Sequence, residues 1–290
     1  AGNLPDTTKW SYDNGNGCPN LCGWGNNELQ YYTTAREENV QIKGGNLIIE
    51  ARKEPLDGYN YTSARMVTKN KGDWKYGRVE VRAKIPAGKG IWPAIWMLPT
   101  KWEYGSWPHS GEIDIMENVG YWPDSLFGTV HTGAYNGMKN TQRSKSVWIK
   151  SLADDFHTYV IEWTENEISF WLDNQPYHRF KNEHTGSEAW PFDKEFHLIM
   201  NIAVGGNWGG KYGVDDAIFP QRMEVDYVRV YQKSTAMGTE IYSTNKLAIY
   251  PNPIVNHAIV KATAAFENGN ISITDINGKV VYNCLSTYPE

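Results

Sequence analysis

The chain has 290 residues, a net charge of −5 and 40% hydrophobic residues, which suits one large globular domain or two unequal ones. Acidic and basic residues are interspersed, which argues against a nucleic-acid partner, and no run of about 18 apolar residues predicts a membrane span. The unusual feature is the content of 13 Trp and 18 Tyr, which indicates exposed aromatic platforms in addition to core positions.

Residues 1–30 are rich in Gly, Asn and Pro and are predicted to form a long structured loop. Cys18 and Cys22 close a small loop there, and they form either a disulfide, in an oxidising compartment, or two free thiols. The third cysteine, Cys284, has no evident mate. The loop ends in an aromatic segment, 24–32, which contains Asn27.

Most of the chain after residue 30 has strand patterns. Segments 46–51 and 62–69 are candidate strands, and the second carries Arg65. Residues 79–85 alternate between apolar and charged side chains, which is typical of a strand with one face on a core and the other in water. This pattern favours an antiparallel sandwich over a parallel sheet.

Segment 91–98 is an apolar strand with two tryptophans. Trp92 and Trp96 are separated by an even number of positions, so they lie on the same face of the strand. The following loop, 99–110, contains Trp107. We interpret the three indoles as stacking surfaces for sugar rings, with a contribution of about 1 kcal/mol per contact; packing in a core is the alternative.

Residues 112–117, Glu-Ile-Asp-Ile-Met-Glu, bring three carboxylates into one predicted strand. Strict alternation puts Glu112 and Asp114 on one face but sends Glu117 to the apolar face, where burial of its carboxylate is unfavourable. One extra residue, a β-bulge at Ile115 and Met116, returns Glu117 to the face of the other two carboxylates. Bulges are frequent beside active sites, where they redirect a side chain.

The spacing of these carboxylates suits acid chemistry. The Cα atoms of Glu112 and Glu117 are expected roughly 13 Å apart at about 3.3 Å per residue. Their side chains can lean together until the carboxyls are about 5–6 Å apart, close to the separation of about 5–5.5 Å in a retaining glycosidase. Asp114 lies between them and can hydrogen-bond one of them. Acid rows also occur as solvated faces or as Ca²⁺ ligands, so those interpretations stay open.

The remaining segments continue the strand pattern, at 126–132 (which ends in His131), 156–163, 167–172, 177–180, 196–204 and 222–231. The apolar segment 196–204 is predicted to be buried on both faces. It leads into Gly-Gly-Asn-Trp-Gly-Gly, where the glycines leave Trp208 free to project over the cleft, and we expect Trp208 to bind substrate there. Because no helical periodicity extends beyond a turn or two, the sequence predicts an all-β jelly-roll sandwich with a concave substrate groove.

The C-terminal part differs in composition. Residues 233–245 are small and polar and are interpreted as a linker between a first domain, 1–232, and a small β-rich unit, 246–290. That unit contains Tyr-Pro-Asn-Pro and a hairpin pattern around Asn277-Gly278. These motifs resemble a partial C-terminal sorting domain of bacterial type IX secretion, which implies a secreted or cell-surface protein. A small immunoglobulin-like adhesive module is the alternative.

Three motifs of the first domain resemble glycoside hydrolase family 16, in its laminarinase-like, endo-β-1,3-glucanase branch. They are the acidic sequence at 112–117 with its extra Met, Gly-Ile-Trp-Pro-Ala-Ile-Trp-Met-Leu at 90–98 and Gly-Thr-Val-His at 128–131. The likeness covers about residues 3–232. We expect the additional strand that family members carry before the position of Leu4 to be absent.

The resemblance implies a role for each acid. Glu112 is expected to be the nucleophile and Glu117 the acid/base, while Asp114 hydrogen-bonds Glu112 and orients it. His131 is expected to lie close to Glu117 and to influence its proton.

The resemblance also implies residues outside the acidic strand. Asn27 and Arg65 are expected to bind sugar hydroxyls on the donor side of the cleft. The Gly45 carbonyl and Asp226 are expected to bind a structural Ca²⁺, although the missing first strand removes part of that ligand set. No cofactor is expected for catalysis.

The sequence therefore predicts a monomeric enzyme that hydrolyses β-1,3-glucan internally with retention of configuration. Two alternatives stay open: a mixed-linkage β-1,3-1,4-glucan as the substrate, and a non-catalytic, lectin-like protein whose acid row holds a cation. No basic cluster surrounds the tryptophans, which argues against a sulfated glycan.

Overall fold

The computed structural model describes residues 3–233 and the strand segments 247–250, 259–262, 269–274 and 280–286. The chain divides into two compact units, Ala1–Lys233 and Ser234–Glu290. Apart from Lys233, the predicted linker 233–245 lies outside the described residues. Among the described residues, no helix is both long and apolar enough to cross a membrane.

The first unit is built almost entirely from strands. Its three short 3₁₀ helices are Cys22–Gly25, Gly137–Lys139 and Asp216–Ile218. Its strands are β1 (Ser11–Asp13), β2 (Gln30–Tyr32), β3 (Val40–Lys43), β4 (Asn46–Leu56), β5 (Tyr59–Ser63), β6 (Arg65–Val67), β7 (Asp73–Trp74), β8 (Gly77–Lys84), β9 (Ile91–Pro99), β10 (Glu112–Glu117), β11 (Ser125–His131), β12 (Arg143–Trp148), β13 (His157–Trp163), β14 (Glu167–Leu172), β15 (Gln175–Lys181), β16 (Phe196–Val204) and β17 (Gln221–Tyr231).

These strands form two sheets. The first, called the site sheet because it contains the acidic strand β10, runs in the order β1-β6-β16-β9-β10-β11-β12, and β7 also pairs with β16. The second sheet runs in the order β15-β14-β13-β8-β17-β4-β5-β2, and β3 pairs with β4. All recorded pairs are antiparallel except β2 with β5. Neighbouring strands are often far apart in the sequence, as expected for a jelly roll.

The hydrophobic core lies between the sheets and receives one face of each. In β8, Val79, Val81 and Ala83 are buried in the core while the residues between them are partly exposed, which confirms the predicted alternation. Strand β16 is buried at every position, as its sequence predicts. The predicted all-β sandwich is therefore confirmed.

Two features differ from the strands predicted from the sequence. The predicted strand 62–69 is two strands that join different sheets, β5 in the second sheet and β6 in the site sheet, and the fully buried Ala64 lies between them. Strand β12 was not predicted because Arg-Ser-Lys-Ser-Val-Trp has no apolar alternation. It forms by pairing with β11 at the edge of the site sheet.

The second unit contains two antiparallel strand pairs. Strand β18 (Leu247–Tyr250) pairs with β19 (Ile259–Ala262), and β20 (Gly269–Thr274) pairs with β21 (Val280–Ser286). The second pair flanks the Asn-Gly sequence, so the predicted hairpin is confirmed.

Candidate active site

The predicted bulge is present in β10. Asp114 pairs with Trp96 of β9, and the next recorded pair joins Met116 to Ile95, so Ile115 is the extra residue. Both Ile115 and Met116 lie in the hydrophobic core. The bulge therefore resets the alternation, and Glu117 shares the outer face with Glu112 and Asp114.

Each glutamate accepts a hydrogen bond from a tryptophan indole. Trp107 Nε1 donates to Glu112 Oε2 at 2.7 Å, and Trp92 Nε1 donates to Glu117 Oε1 at 3.0 Å. These bonds fix the direction of both carboxylates. The indoles expected to be stacking surfaces therefore also orient the acids, and their contact with sugar stays a prediction.

The central acids lie in an environment that disfavours their charged forms. Burial raises the pKa of Glu117 well above its usual value, and the negative charge of Asp114 raises it further, while His131 and the Trp92 hydrogen bond lower it. Burial likewise raises the pKa of Asp114, reinforced by the charge of Glu112 and by a hydrogen bond to it. Such a site favours the protonated form of Glu117, which a general acid needs.

The strand register places His131 directly opposite Glu112, and His131 also acts on Glu117, whose pKa it lowers; its expected closeness to that acid stays a prediction. Its Nε2 is 3.4 Å from Asp114 Oδ2 and 3.9 Å from Glu112 Oε1. Its Nδ1 accepts the backbone N–H of Gly137 at 3.2 Å. A neutral His131 therefore carries its proton on Nε2, facing the acids.

Trp96 connects the site to a series of buried polar side chains that the sequence motifs do not predict. Its Nε1 donates to Asn201 Oδ1 at 2.8 Å, and Asn201 Nδ2 donates to Tyr32 Oη at 3.0 Å. Tyr32 in turn donates to Glu28 Oε2 at 3.4 Å, and burial raises the pKa of Glu28. The one residue in the sequence that could have indicated this hydrogen-bonded series is Asn201, because it places an amide within an otherwise apolar buried strand.

Arg65 lies beneath Trp96 instead of projecting into open space. It is 8% exposed, its Nε is 2.9 Å from Asp13 Oδ2, and its guanidinium lies 4.4 Å from the Trp24 ring centre and 4.7 Å from that of Trp96. These contacts make it a support for Trp96. A bond to a sugar hydroxyl stays a prediction.

The loop that follows β16 contacts Asn27 and carries Trp208. Asn27 Nδ2 donates to Asn207 Oδ1 at 2.9 Å. The ring of Trp208 makes edge contacts with Trp92 at 5.4 Å and with Phe127 at 5.1 Å. Since Phe127 pairs with Glu117, Trp208 lies beside the acid face, although its binding role stays a prediction.

The candidate metal ligands lie on the second sheet. Gly45 is in the turn between β3 and β4, and Asp226 is on β17, which pairs with β4. The Asp226 carboxylate accepts a hydrogen bond from Arg82 at its Oδ2, at 2.6 Å, so Ca²⁺ bound there would share this carboxylate with the guanidinium. Within the described residues, one cluster of His, Cys, Asp or Glu side chains brings three ligand atoms within 4.8 Å, and it consists of Glu112, Asp114 and His131.

Cys18 and Cys22 are joined by a disulfide. Of the two states left open for this pair, the structure therefore contains the oxidised one. The side chain of Cys284 lies outside the described residues.

The fold and the acid face agree with the comparisons. The family model described as glycosyl hydrolases family 16 matches residues 27–229, so the chain belongs to this family of glycoside hydrolases. A β-glucanase of Rhodothermus marinus is 58% identical over 236 residues, which cover 79% of this chain and 81% of that protein.

Two solved structures extend the agreement to three dimensions. The laminarinase of Rhodothermus marinus matches with a TM-score of 0.77 and 55% identity, over 80% of this chain and 93% of that one. A non-specific endo-β-1,3(4)-glucanase of family 16 matches with a TM-score of 0.75 and 48% identity, over 80% of this chain and 88% of that one. The predicted family and the jelly-roll fold are confirmed.

The second unit also has a match. Residues 248–288 match a secretion system C-terminal sorting domain. The chain therefore carries the sorting signal that the Tyr-Pro-Asn-Pro motif and the hairpin predicted, and it is a secreted or cell-surface bacterial protein.

Proposed function

We propose that this protein is an endo-β-1,3-glucanase that hydrolyses laminarin-type glucan with retention of configuration. The proposal is supported by the family, by the names of the similar β-glucanase and laminarinase, and by the acid face of β10. The observation that carries it is the bulge that turns Glu112 and Glu117 to one face, where each accepts an indole hydrogen bond.

The reaction proceeds in two steps. In the first, the Glu112 carboxylate attacks the anomeric carbon while Glu117 gives its proton to the oxygen of the departing sugar, so the glycosidic C–O bond breaks and a glycosyl ester forms. In the second, Glu117 takes a proton from water as that water attacks the anomeric carbon. The ester bond to Glu112 breaks, and the sugar leaves with its original configuration.

The neighbouring groups prepare the two glutamates for these different roles. Trp107 holds Glu112 at a fixed orientation for attack. Burial keeps Glu117 protonated to higher pH than an ordinary carboxyl, so that it can act as the acid. Asp114 and the Nε2 of His131, which is 3.9 Å from Glu112 Oε1, lie next to Glu112; burial and the charge of Glu112 favour the protonated form of Asp114, which can donate a hydrogen bond to Glu112.

The rival proposal is a lectin-like protein in which Glu112, Asp114 and His131 hold a cation, since these side chains do cluster. A cation held by these three side chains leaves Glu117 without a role, although the bulge turns Glu117 to the same face. The hydrogen bond from Trp92 to Glu117 is not explained by a lectin-like cation site. The enzyme is therefore the better-supported function.

The substrate test compares laminarin, lichenan and agarose. Release of reducing sugar from laminarin, with short oligosaccharides appearing early, is expected for an endo-acting β-1,3-glucanase. Preferential cleavage of lichenan would favour the mixed-linkage alternative. This alternative has to be tested because one of the similar structures is named a non-specific endo-β-1,3(4)-glucanase. Absence of hydrolysis on all three polymers would reject the enzyme.

The catalytic test replaces Glu112 by serine. Glu112→Ser is expected to lose hydrolysis of laminarin by at least about a thousandfold, because the glycosyl ester cannot form, while laminarin still retards the variant in an affinity gel. Asp154→Asn is a surface control outside the site sheet. Turnover by Glu112→Ser at the wild-type rate would contradict the assignment of the nucleophile.

Two further expectations belong to this proposal. A structural Ca²⁺ held by the Gly45 carbonyl and Asp226 would share the Asp226 carboxylate with Arg82, and its role would be stability, not catalysis. We also expect a monomer, which size-exclusion chromatography with light scattering tests.

A further inference from the structure

An aromatic series leads from Glu117 to the edge of the site sheet. Trp92, which donates to Glu117, contacts Trp208, and Trp208 contacts Phe127 at 5.1 Å on β11. Phe127 then stacks on Trp122, with ring centres 6.1 Å apart and planes inclined by 28°. Trp122 is 47% exposed. The apolar surface that starts at the acid therefore continues away from it, towards β12.

Strand β12 adds a second exposed indole to this surface. Trp148 pairs with Ser125, two residues from Phe127 on β11, so Trp148 and Phe127 lie on the same face of the sheet. The adjacent residue, Val147, packs against the core, which confirms that Trp148 points the other way. Trp148 is 65% exposed.

The same face of β12 is uncharged and carries hydroxyls. Ser146 pairs with Phe127, and Ser144 pairs with Thr129 and shares a hydrogen bond with it at 2.8 Å. The two cations of the strand, Arg143 and Lys145, pair with residues of the opposite face. An indole flanked by neutral hydroxyls suits a neutral sugar, whose apolar face stacks and whose hydroxyls accept and donate hydrogen bonds.

The position of this face makes a folding role for Trp148 a poor explanation. An exposed tryptophan on an edge strand offers an apolar surface for aggregation, and it contributes little to the core while it is 65% exposed. Continuity with the acid face indicates a ligand that reaches both. A polymer lying across the strands fits, because β12 is two strands from β10, about 10 Å at the usual strand spacing.

We propose that Trp148, Ser146 and Trp122 form an outer glucan-binding surface that holds sugar units beyond those in contact with the two glutamates. This inference rests on the proposed function. Arg65, the expected donor-side residue, lies on β6, on the other side of β10. The outer surface therefore binds the acceptor part of the glucan, which leaves when Glu117 protonates it.

The test uses the full chain and two oligosaccharides of β-1,3-linked glucose. A hexasaccharide can place several sugars on the acceptor side of the cleaved bond and reach β12, whereas a trisaccharide supplied as its p-nitrophenyl glycoside, with release of nitrophenol as the readout, places no sugar there. Trp148→Ala is expected to lower kcat/KM for the hexasaccharide about fivefold, the equivalent of one lost stacking contact, mainly through KM. It is expected to leave the trisaccharide unchanged. The matched control is Tyr231→Ala, which removes a 48% exposed aromatic from the second sheet.

Each outcome decides the inference. An unchanged kcat/KM for the hexasaccharide in Trp148→Ala would overturn the inference, and so would an equal loss of kcat/KM for both oligosaccharides. The same loss in Tyr231→Ala would also overturn it. Retardation in a gel containing laminarin measures binding without turnover. If the wild-type protein binds laminarin but hydrolyses nothing, the proposed function fails, and weaker retardation of Trp148→Ala alone still supports the outer surface; equal retardation rejects it.

Discussion

Replacing Gly128 with alanine is expected to disturb the bulge on which the acid face depends. Gly128 lies on β11 between Phe127, the partner of Glu117, and Thr129, the partner of Asp114. A Cβ at this position would lie 2.5 Å from Tyr177 Oη and 2.9 Å from Phe170 Cδ1. These distances are far below van der Waals contact, so the aromatic rings or β11 must move.

Tyr177 has a second connection to the bulge. Its hydroxyl donates to the carbonyl of Ile115, the extra residue, at 3.4 Å. Tyr177 reaches that carbonyl across β11 because Gly128 has no side chain. Displacement of Tyr177 therefore changes the support of the bulge as well as the packing of the core.

The cost follows from these contacts. Overpacking a core position destabilises by about 1–3 kcal/mol. With about 2–4 °C per kcal/mol for a domain of this size, Gly128→Ala is expected to lower Tm by about 2–12 °C. Tyr177→Phe removes only one long hydrogen bond, so about 0.5 kcal/mol is expected. The double variant should cost less than the sum, because the hydroxyl that clashes is gone.

The assay is a double-mutant cycle by denaturant unfolding, with kcat on laminarin measured for each variant. A coupling energy of about 1 kcal/mol or more in favour of the double variant is expected. The kcat should be reduced in Gly128→Ala and partly restored in the double variant. Tyr159→Phe is the control, since this second buried hydroxyl has no hydrogen-bond partner among the described residues. Additive costs, or an unperturbed kcat in Gly128→Ala, would refute the reasoning.

Two further predictions concern the acid and the calcium. Trp92→Phe removes the hydrogen bond that lowers the pKa of Glu117. The acid form of Glu117 should then persist to higher pH, and the basic limb of the kcat/KM profile should move upwards; an unchanged or lower limb would contradict this role of Trp92. If Ca²⁺ binds at Asp226, excess chelator should lower Tm in the wild type but not in Asp226→Asn, and an equal Tm with and without chelator would count against the site.

The acidic strand shows how far local sequence can predict this protein. The order of carboxylates and apolar residues in 112–117 is compatible with a buried apolar face only if one residue is extra, and the structure has that bulge at Ile115. The alternation in β8 and the uniformly apolar β16 were equally readable, because burial of one or both faces is encoded within a single strand.

The contact partners of the site side chains could not be predicted from the sequence around each residue. Trp96 bonds to Asn201, which is 105 positions away in the chain, and the register of β11 puts His131 directly opposite Glu112. The contacts of the Arg65 guanidinium with Trp24 and Trp96 likewise join segments that are distant in the sequence. Pairing between distant strands decides such contacts, and no pattern within one segment contains that information.

The sequence by itself determined the all-β class, the face on which the acids lie and the family to which they belong, because these depend on residue types and on alternation within a strand. Only the tertiary structure decided which indole orients which glutamate, why Gly128 must lack a side chain and how β12 extends the acid face. Those properties arise where strands from different parts of the chain meet, since hydrogen bonds and close packing depend on positions in space and not on order in the chain.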